Sequence, residues 1–323
     1  MNAGRDFLAT YVGTDGRVTR SDQGGDTVSE GQAYALLIAV AEKDRSAFAK
    51  LWSWTRSNLR LPSGLFAYHW AAGKITDPQP AADADLLIGW ALLLAAERFG
   101  DPAYRDAARA VGAAVAKQEI GYDDSGAPVL AAGPWALRPN GPTTIEPGYW
   151  AWPAAHDLGS LTGDKRLQGL VPAGAGQLDA LTGGGNALPP DWARYGGGAN
   201  EAVAAPDGTA PVQSGQDGLR TLVWAACEPS TTHLAAAWWS LVSGSAAAAP
   251  LSRNLDGSPR QPEVSATSAI AAAAAARAAG DTTASATLRD RARQIDRQYP
   301  TYYGAAWVAL GDALLDGRLP CTT

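Results

Sequence analysis

Acidic residues open three apolar segments of this chain, and their placement is the first sign of chemistry. Glu30 stands in Thr27-Val28-Ser29-Glu30-Gly31-Gln32-Ala33-Tyr34, just ahead of an apolar run. Asp83 and Asp85 stand two apart in Ala81-Ala82-Asp83-Ala84-Asp85-Leu86, again before a strongly apolar stretch. Asp217 stands in Gly215-Gln216-Asp217-Gly218-Leu219-Arg220, with Arg220 three residues on and so on the same helix face. Taken singly, each acid has an ordinary explanation, because a carboxylate in a first turn complements the helix dipole or caps its free N–H groups. Taken together, they place carboxylates at the starts of three separate helices. Brought to one rim, such groups suit glycoside hydrolysis: one carboxylic acid protonates the leaving oxygen and one carboxylate activates water on the opposite face of the sugar. Arg220 beside Asp217 would favour its ionised form.

The aromatic usage points the same way. The chain has 12 Trp and 10 Tyr but only 4 Phe. Trp and Tyr combine a flat apolar face with a polar tip, which suits stacking on sugar rings, although filling a helical core accounts for part of them. Trp54, Trp70, Trp135, Trp150, Trp152 and Trp192 are candidate subsite residues, and Trp135 and Trp192, which fall in long loops, lead them. His69, His156 and His233 are not spaced as metal ligands, and no Cys-x-x-Cys or Cys/His cluster exists, so no metal is expected. The glycine runs at 183–185 and 196–198 lack the strand context of a nucleotide site and read as loops, so no cofactor is expected. Asp77 and the Asp123-Asp124 pair read as solvated loop acids.

Positioning these residues falls to helices. Apolar residues recur at helical spacing, as in Leu86, Trp90, Leu93 and Leu94. The pattern predicts helices near 29–43, 45–59, 83–99, 101–117, 149–161, 164–182, 217–226, 230–244, 263–279, 282–297 and 302–316. Ser29 and Ser46 are read as N-caps and Pro102 as a first helical residue. Strand-like alternation is scarce, with a small hairpin conceivable at 64–70. Long loops at 62–80, 119–147 and 183–216 carry much of the Gly, Pro and aromatic content, and loops of that length in a compact domain are usually functional. No linker composition divides the chain, so a single all-α domain of stacked hairpins over 1–323 is expected.

The 323 residues are 46% hydrophobic and carry a net charge of −6. With no basic block, nucleic acid is not an expected partner. No run approaches the length of a membrane span. An uncharged polysaccharide needs no electrostatic steering, and a monomer is the expected state. Cys227 and Cys321 either form one disulfide tying the C-terminal tail to the body, which fits an oxidising compartment, or are two separate thiols. The start, MNAGRDFLATYV, lacks the charged-then-apolar pattern of a signal peptide. The expected location is secreted, periplasmic or cell-surface, with a signal or anchor missing from this chain; the alternative is the cytoplasm.

The segments also resemble, in order and nearly end to end, the motifs of glycoside hydrolase family 8, the bacterial endo-β-1,4-glucanases, chitosanases, lichenases and some xylanases. Ser29 to Tyr34 resembles the SEGxxYGM segment, which makes Glu30 the general acid. Ala81 to Leu86 resembles ATDGDL, which makes Asp83 a sugar-binding residue at the cleavage point. Glu146-Pro147-Gly148-Tyr149-Trp150 resembles NPSYF, which gives Tyr149 a hold on the attacking water. Leu188-Pro189-Pro190-Asp191-Trp192 resembles an LPPDW-like loop. Gln216 to Arg220 resembles YDAxR, which makes Asp217 the general base. Tyr302-Tyr303 and the ending Asp316-Gly317-Arg318-Leu319 resemble the last helix. The chain departs from the family at Ala35-Leu36, at Gln216 in place of Tyr, and at Gly148 in place of Ser. The resemblance implies an (α/α)6 barrel with an open cleft on one rim and an inverting, endo-acting attack on a β-1,4-linked polysaccharide, either a cellulose-like glucan or a bacterial exopolysaccharide. Substrate contacts are expected from Arg220, Tyr302 and Tyr303, as well as from Trp135 and Trp192. The competing expectations are another polymer such as chitosan or xylan, a non-catalytic carbohydrate-binding protein, and a barrel epimerase or lyase, which three dispersed His support poorly.

Overall fold

Six helical hairpins close into a ring in the computed structural model, which describes residues 2–138 and 141–321. The inner helices are α2 (Ser29–Ala41), α4 (Ala82–Phe99), α6 (Trp152–Thr162), α8 (Gln216–Ala225), α10 (Ala266–Ala278) and α12 (Tyr302–Leu315). The outer helices are α1 (Ala3–Tyr11), α3 (Arg45–Asn58), α5 (Pro102–Gln118), α7 (Lys165–Thr182), α9 (Thr232–Val242) and α11 (Thr282–Gln298). Around the ring α2 packs on α4, α4 on α6, α8 on α10, α10 on α12 and α12 back on α2. A short 3-10 turn, Pro147–Tyr149, packs on α8 just ahead of α6. Each inner helix is backed by an outer one, with α1 behind α12. This is the (α/α)6 barrel that the resemblance implied.

The two rings differ in sequence for a physical reason. An inner helix is covered on every side, so α2, α4 and α10 are buried nearly throughout and show no polar stripe. An outer helix such as α11 buries one face (Ser285, Leu288, Ala292, Ile295) and leaves its Arg-rich face to water. Inside the ring, edge-on aromatic contacts join Trp90 to Trp224, Trp224 to Trp307 and Trp307 to Tyr34, at centroid distances of 6.5, 5.7 and 5.5 Å. These rings come from four different inner helices and fill the barrel centre.

The connections are asymmetric. Chain passing from an inner to an outer helix turns within a few residues, as at 42–44, 100–101, 163–164 and 279–281. Chain passing from an outer to an inner helix is long at 59–81, 119–151, 183–215 and 243–265, and these stretches gather at the rim where the inner helices begin. These stretches, with the connection from α1 to α2, contain more strand than expected. β1 (Thr27–Val28), β2 (His69–Ala71) and β3 (Lys74–Asp77) form one antiparallel sheet, with Thr27 opposite Trp70. β4 (Ile120–Tyr122) pairs with β5 (Pro128–Leu130). β6 (Thr143–Ile145), β7 (Trp192–Gly196) and β8 (Ala199–Val203) form a second three-stranded sheet, and β9 (Pro250–Arg253) pairs with β10 (Pro259–Val264).

Several sequence expectations are corrected. Helix α1 was not anticipated, and β10 occupies the start of the stretch assigned to a helix from 263, so α10 begins at Ala266. Ser29 is the first helical residue with its hydroxyl unpaired, not a cap. The cap of α3 is Asp44, which accepts from Ala47 N, and not Ser46. Cys227 and Cys321 are joined in a disulfide that anchors the end of the chain beside α8. Among the described residues no helix is long and apolar enough to cross a membrane.

Candidate active site

Glu30, Asp83 and Asp217 each lie in the first turn of an inner helix, so the barrel brings all three to one rim. Arg220, one turn into α8, gathers them. Its side chain is only 2% exposed. Its Nη1 donates to Tyr34 Oη at 2.6 Å, to Asp83 Oδ2 at 3.0 Å and to Glu30 Oε2 at 3.2 Å. Its Nη2 lies 3.5 Å from Asp217 Oδ1 and 3.5 Å from Glu146 Oε2. The guanidinium also sits 4.9 Å from the Tyr149 ring centroid, in cation–π contact. Because one planar guanidinium spans them, the Glu30 and Asp217 oxygens it binds are no more than about 9 Å apart, compatible with the roughly 6.5–9.5 Å that leaves room for a water.

One cation faces four carboxyls, so burial and mutual repulsion favour the protonated form of the buried ones. Burial pushes Glu30 up to about 7; the charge of Arg220 opposes this, and those of Asp83 and Asp217 add to it. Burial likewise raises Asp83, against Arg220 and the Ala84 N–H that Asp83 accepts at 2.7 Å. Glu146 is held well above the ordinary carboxylate range by burial and then by the Asp217 charge. Asp217 is the open member of the group: its side chain is 42% exposed, and Tyr303 Oη donates to its Oδ1 at 3.0 Å. The site therefore holds a carboxyl that keeps its proton toward neutrality and, apart from it, an acidic side chain open to water.

A cleft of about 530 Å³ opens above this floor. Glu30, Asp83, Asp217 and Arg220 line it, as do Tyr149, Trp135 and Trp192 from the long connections. Trp135 and Trp192 face one another at 6.2 Å between centroids. The other tryptophan candidates lie elsewhere. Trp54, Trp150 and Trp152 are buried in the core, and Trp70 packs edge-on against Trp54 beneath Arg17. Tyr303 joins the cluster through Asp217, but Tyr302 does not reach the cleft. It is fully buried against Phe7 and Tyr11, on the far side of Gly31, and a ring with no open face cannot stack on a sugar.

Two residues of the cluster were not singled out from sequence. Glu146 was visible as an acid where the NPSYF segment has Asn, and Tyr34 as the Tyr closing the Glu30 motif. Asp77, expected in solvent, lines the cleft with Tyr68 and Gln79. The departures also acquire reasons. A Cβ on Gly148 would collide with the Asp217 backbone carbonyl and the Arg220 side chain. Gln216 turns aside and accepts from Thr267 Oγ1 at 3.4 Å. Asp123 is engaged in a local turn, accepting from Ser125 N, and Asp124 holds the β7–β8 turn, accepting from Gly197 N and Gly198 N. Among the described residues no group of His, Cys, Asp and Glu is arranged to hold a metal ion.

The model of the glycosyl hydrolases family 8 matches residues 2–314. The chain belongs to that family. It is 34% identical over 190 residues to an endoglucanase of Cellulomonas uda, covering 58% of this chain and 53% of the relative. It is 31% identical over 199 residues to a probable endoglucanase of Novacetimonas hansenii, covering 58% and 55%. The chain thus spans about half the length of these curated relatives. Among solved structures it superimposes on a family 8 endoglucanase from Klebsiella pneumoniae with a TM-score of 0.80 at 27% identity, covering 98% of this chain and 99% of that one.

Proposed function

We propose that residues 1–323 form one catalytic domain that hydrolyses a β-1,4-linked glucan internally and with inversion. The observation that carries this reading is the gathering of Glu30, Asp83, Asp217 and Glu146 around the buried Arg220 at the floor of an aromatic-walled cleft. Glu30, protonated up to about pH 7, gives its proton to the leaving glycosidic oxygen. Asp217 accepts a proton from the water that attacks the opposite face, and Tyr149 and Tyr303 flank that water. Asp83, fixed by Arg220, takes a hydroxyl of the sugar at the cleavage point. Trp135 and Trp192 stack on neighbouring sugars. The family and its endoglucanase relatives support the reaction class and the glucan; the exopolysaccharide of a bacterium is the other source of such a polymer. The domain acts as a monomer, and the Cys227–Cys321 disulfide supports a secreted, periplasmic or surface location.

The test is release of reducing ends and loss of viscosity from carboxymethylcellulose and barley β-glucan, with Glu30→Gln and Asp217→Asn beside the parent. The reading expects a rapid viscosity drop from the parent and a loss of at least about 10³-fold in both variants. Binding without turnover by the parent would instead identify a carbohydrate-binding protein.

A further inference from the structure

Asp191 is a buried carboxyl that the reaction as described does not use. It lies in the loop just before β7 and accepts three hydrogen bonds: from Gly215 N at 2.6 Å, Gly218 N at 2.8 Å and Gln213 Nε2 at 3.0 Å. Two of these donors are backbone N–H groups at the start of α8, on either side of Asp217. Asp191 is therefore the cap of that helix, supplied from a different part of the chain; Gly215, at the capping position itself, has no side chain to offer. The spacing of the two glycines follows from this. A Cβ at Gly215 would stand 2.6 Å from Asp191 Oδ2. One at Gly218 would stand 2.6 Å from Pro189 O and 3.0 Å from Asp191 Oδ1. The Gly-x-x-Gly frame around Asp217 is what lets the carboxylate approach. The same loop carries Trp192 into the cleft, and Asp191 N donates to Gln213 O at 2.8 Å, closing it against the chain that leads to α8.

We propose that Asp191 is a positioning residue for the general base: its carboxylate locks the first turn of α8 so that Asp217 faces the attacking water. The proposal rests on reading Asp217 as the base. Burial and then the Asp217 charge push Asp191 up to about 6, against its three hydrogen bonds. Charge interaction is mutual, so the two carboxyls act on one another as a pair. The other charged or titratable groups around Asp217 include Arg220 on its own helix, Tyr303 on α12, Glu146 just before the 3-10 turn and Tyr149 within it, Tyr68 in the loop before β2, Glu30 on α2 and Asp83 on α4. Asp191→Asn substitutes none of them.

The experiment has two arms. In the first, ¹³C NMR follows the Asp191 carboxyl in the parent and in Asp217→Asn. The expected result is a midpoint near 6 in the parent that falls to lower pH in the variant, and an unmoved midpoint overturns the pairing. In the second, Asp191→Asn keeps an oxygen to cap the helix but removes the charge. Expected are a kcat lower by about tenfold, a KM within about twofold, and an acidic limb displaced to lower pH. Asp191→Ala, which also loses the cap, falls further in kcat and in Tm. A merely structural cap would leave the acidic limb of Asp191→Asn on that of the parent, and that result overturns the proposal. A parent that hydrolyses no polymer fails the functional reading instead, and the carboxyl titration still decides the pairing.

Discussion

At the scale of residues, the cluster around Arg220 is a problem in proton placement. Glu30 must be protonated to act as acid, and its raised position near 7 means that activity is present below that pH and lost as pH rises through it. The alkaline limb of kcat/KM is therefore expected near 7. Replacing Asp83 by Asn removes one of the charges that raise Glu30, so that limb moves to lower pH in a measured profile. Substituting Arg220 by Lys keeps a charge but loses the fork that reaches two sides of the cluster, and a fall in kcat of at least about 10²-fold is expected in initial-rate assays. Much of this was legible in the sequence. Glu30, Asp83 and Asp217 each precede an apolar run, and the spacing from Asp217 to Arg220 puts both on one helix face. Their joint arrangement was not, because a carboxylate at a helix start looks the same whether it caps or catalyses. Tyr302 shows the limit in the other direction: its neighbour Tyr303 reaches Asp217, and only the helical rotation of about 100° per residue separates a cleft residue from a core one.

At the scale of elements, the inner helices were legible as apolar runs and the outer ones as amphipathic stripes. Helix α1 escaped because it is short and its polar face, with Arg5 and Asp6, dilutes the apolar signal of Phe7 and Tyr11. The strands of the rim escaped because runs of two to six residues are too short to show a periodic pattern. Two tests belong here. Gly148→Ala forces a Cβ into the Asp217 carbonyl and the Arg220 side chain, so both Tm and kcat fall, the stability loss on the order of 1–3 kcal/mol. Asp85 and Glu119 form a fully buried pair of carboxyls with no cation beside them among the described residues, linking the start of α4 to the end of α5, while Asp85 Oδ1 accepts from Phe66 N at 2.8 Å. Burial holds both well above the ordinary carboxylate range. A carboxyl raised in the folded state contributes stability that is full below its unfolded value and lost as pH climbs through the folded one. Tm should thus decline toward alkaline pH, and Glu119→Gln, which keeps a donor to Asp85 without the second charge, should flatten that decline in a thermal-denaturation series.

At the scale of the whole molecule, the ring of hairpins separates two tasks: short turns and buried inner helices hold the scaffold, while the long outer-to-inner connections build the cleft. The composition indicated the division, since Trp135 and Trp192 lie in Gly- and Pro-rich loops and most other tryptophans in apolar helices. It could not show that the chain end is tied down, because sequence separation carries no distance. The Cys227–Cys321 link closes a loop of 94 residues, and in a chain-entropy account such a closure stabilises by on the order of 4–5 kcal/mol. Reduction, or Cys321→Ser, should lower Tm by several degrees while leaving kcat within about twofold, since the link lies away from the cleft lining. In the proposed reaction Glu30 and Asp217, separated by Arg220, act on opposite faces of one sugar with a water between them. ¹H NMR of the anomeric protons during early hydrolysis of a cello-oligosaccharide tests it most directly. The account predicts that the α-anomer appears first and the β-anomer grows in only by mutarotation; first appearance of the β-anomer would contradict it.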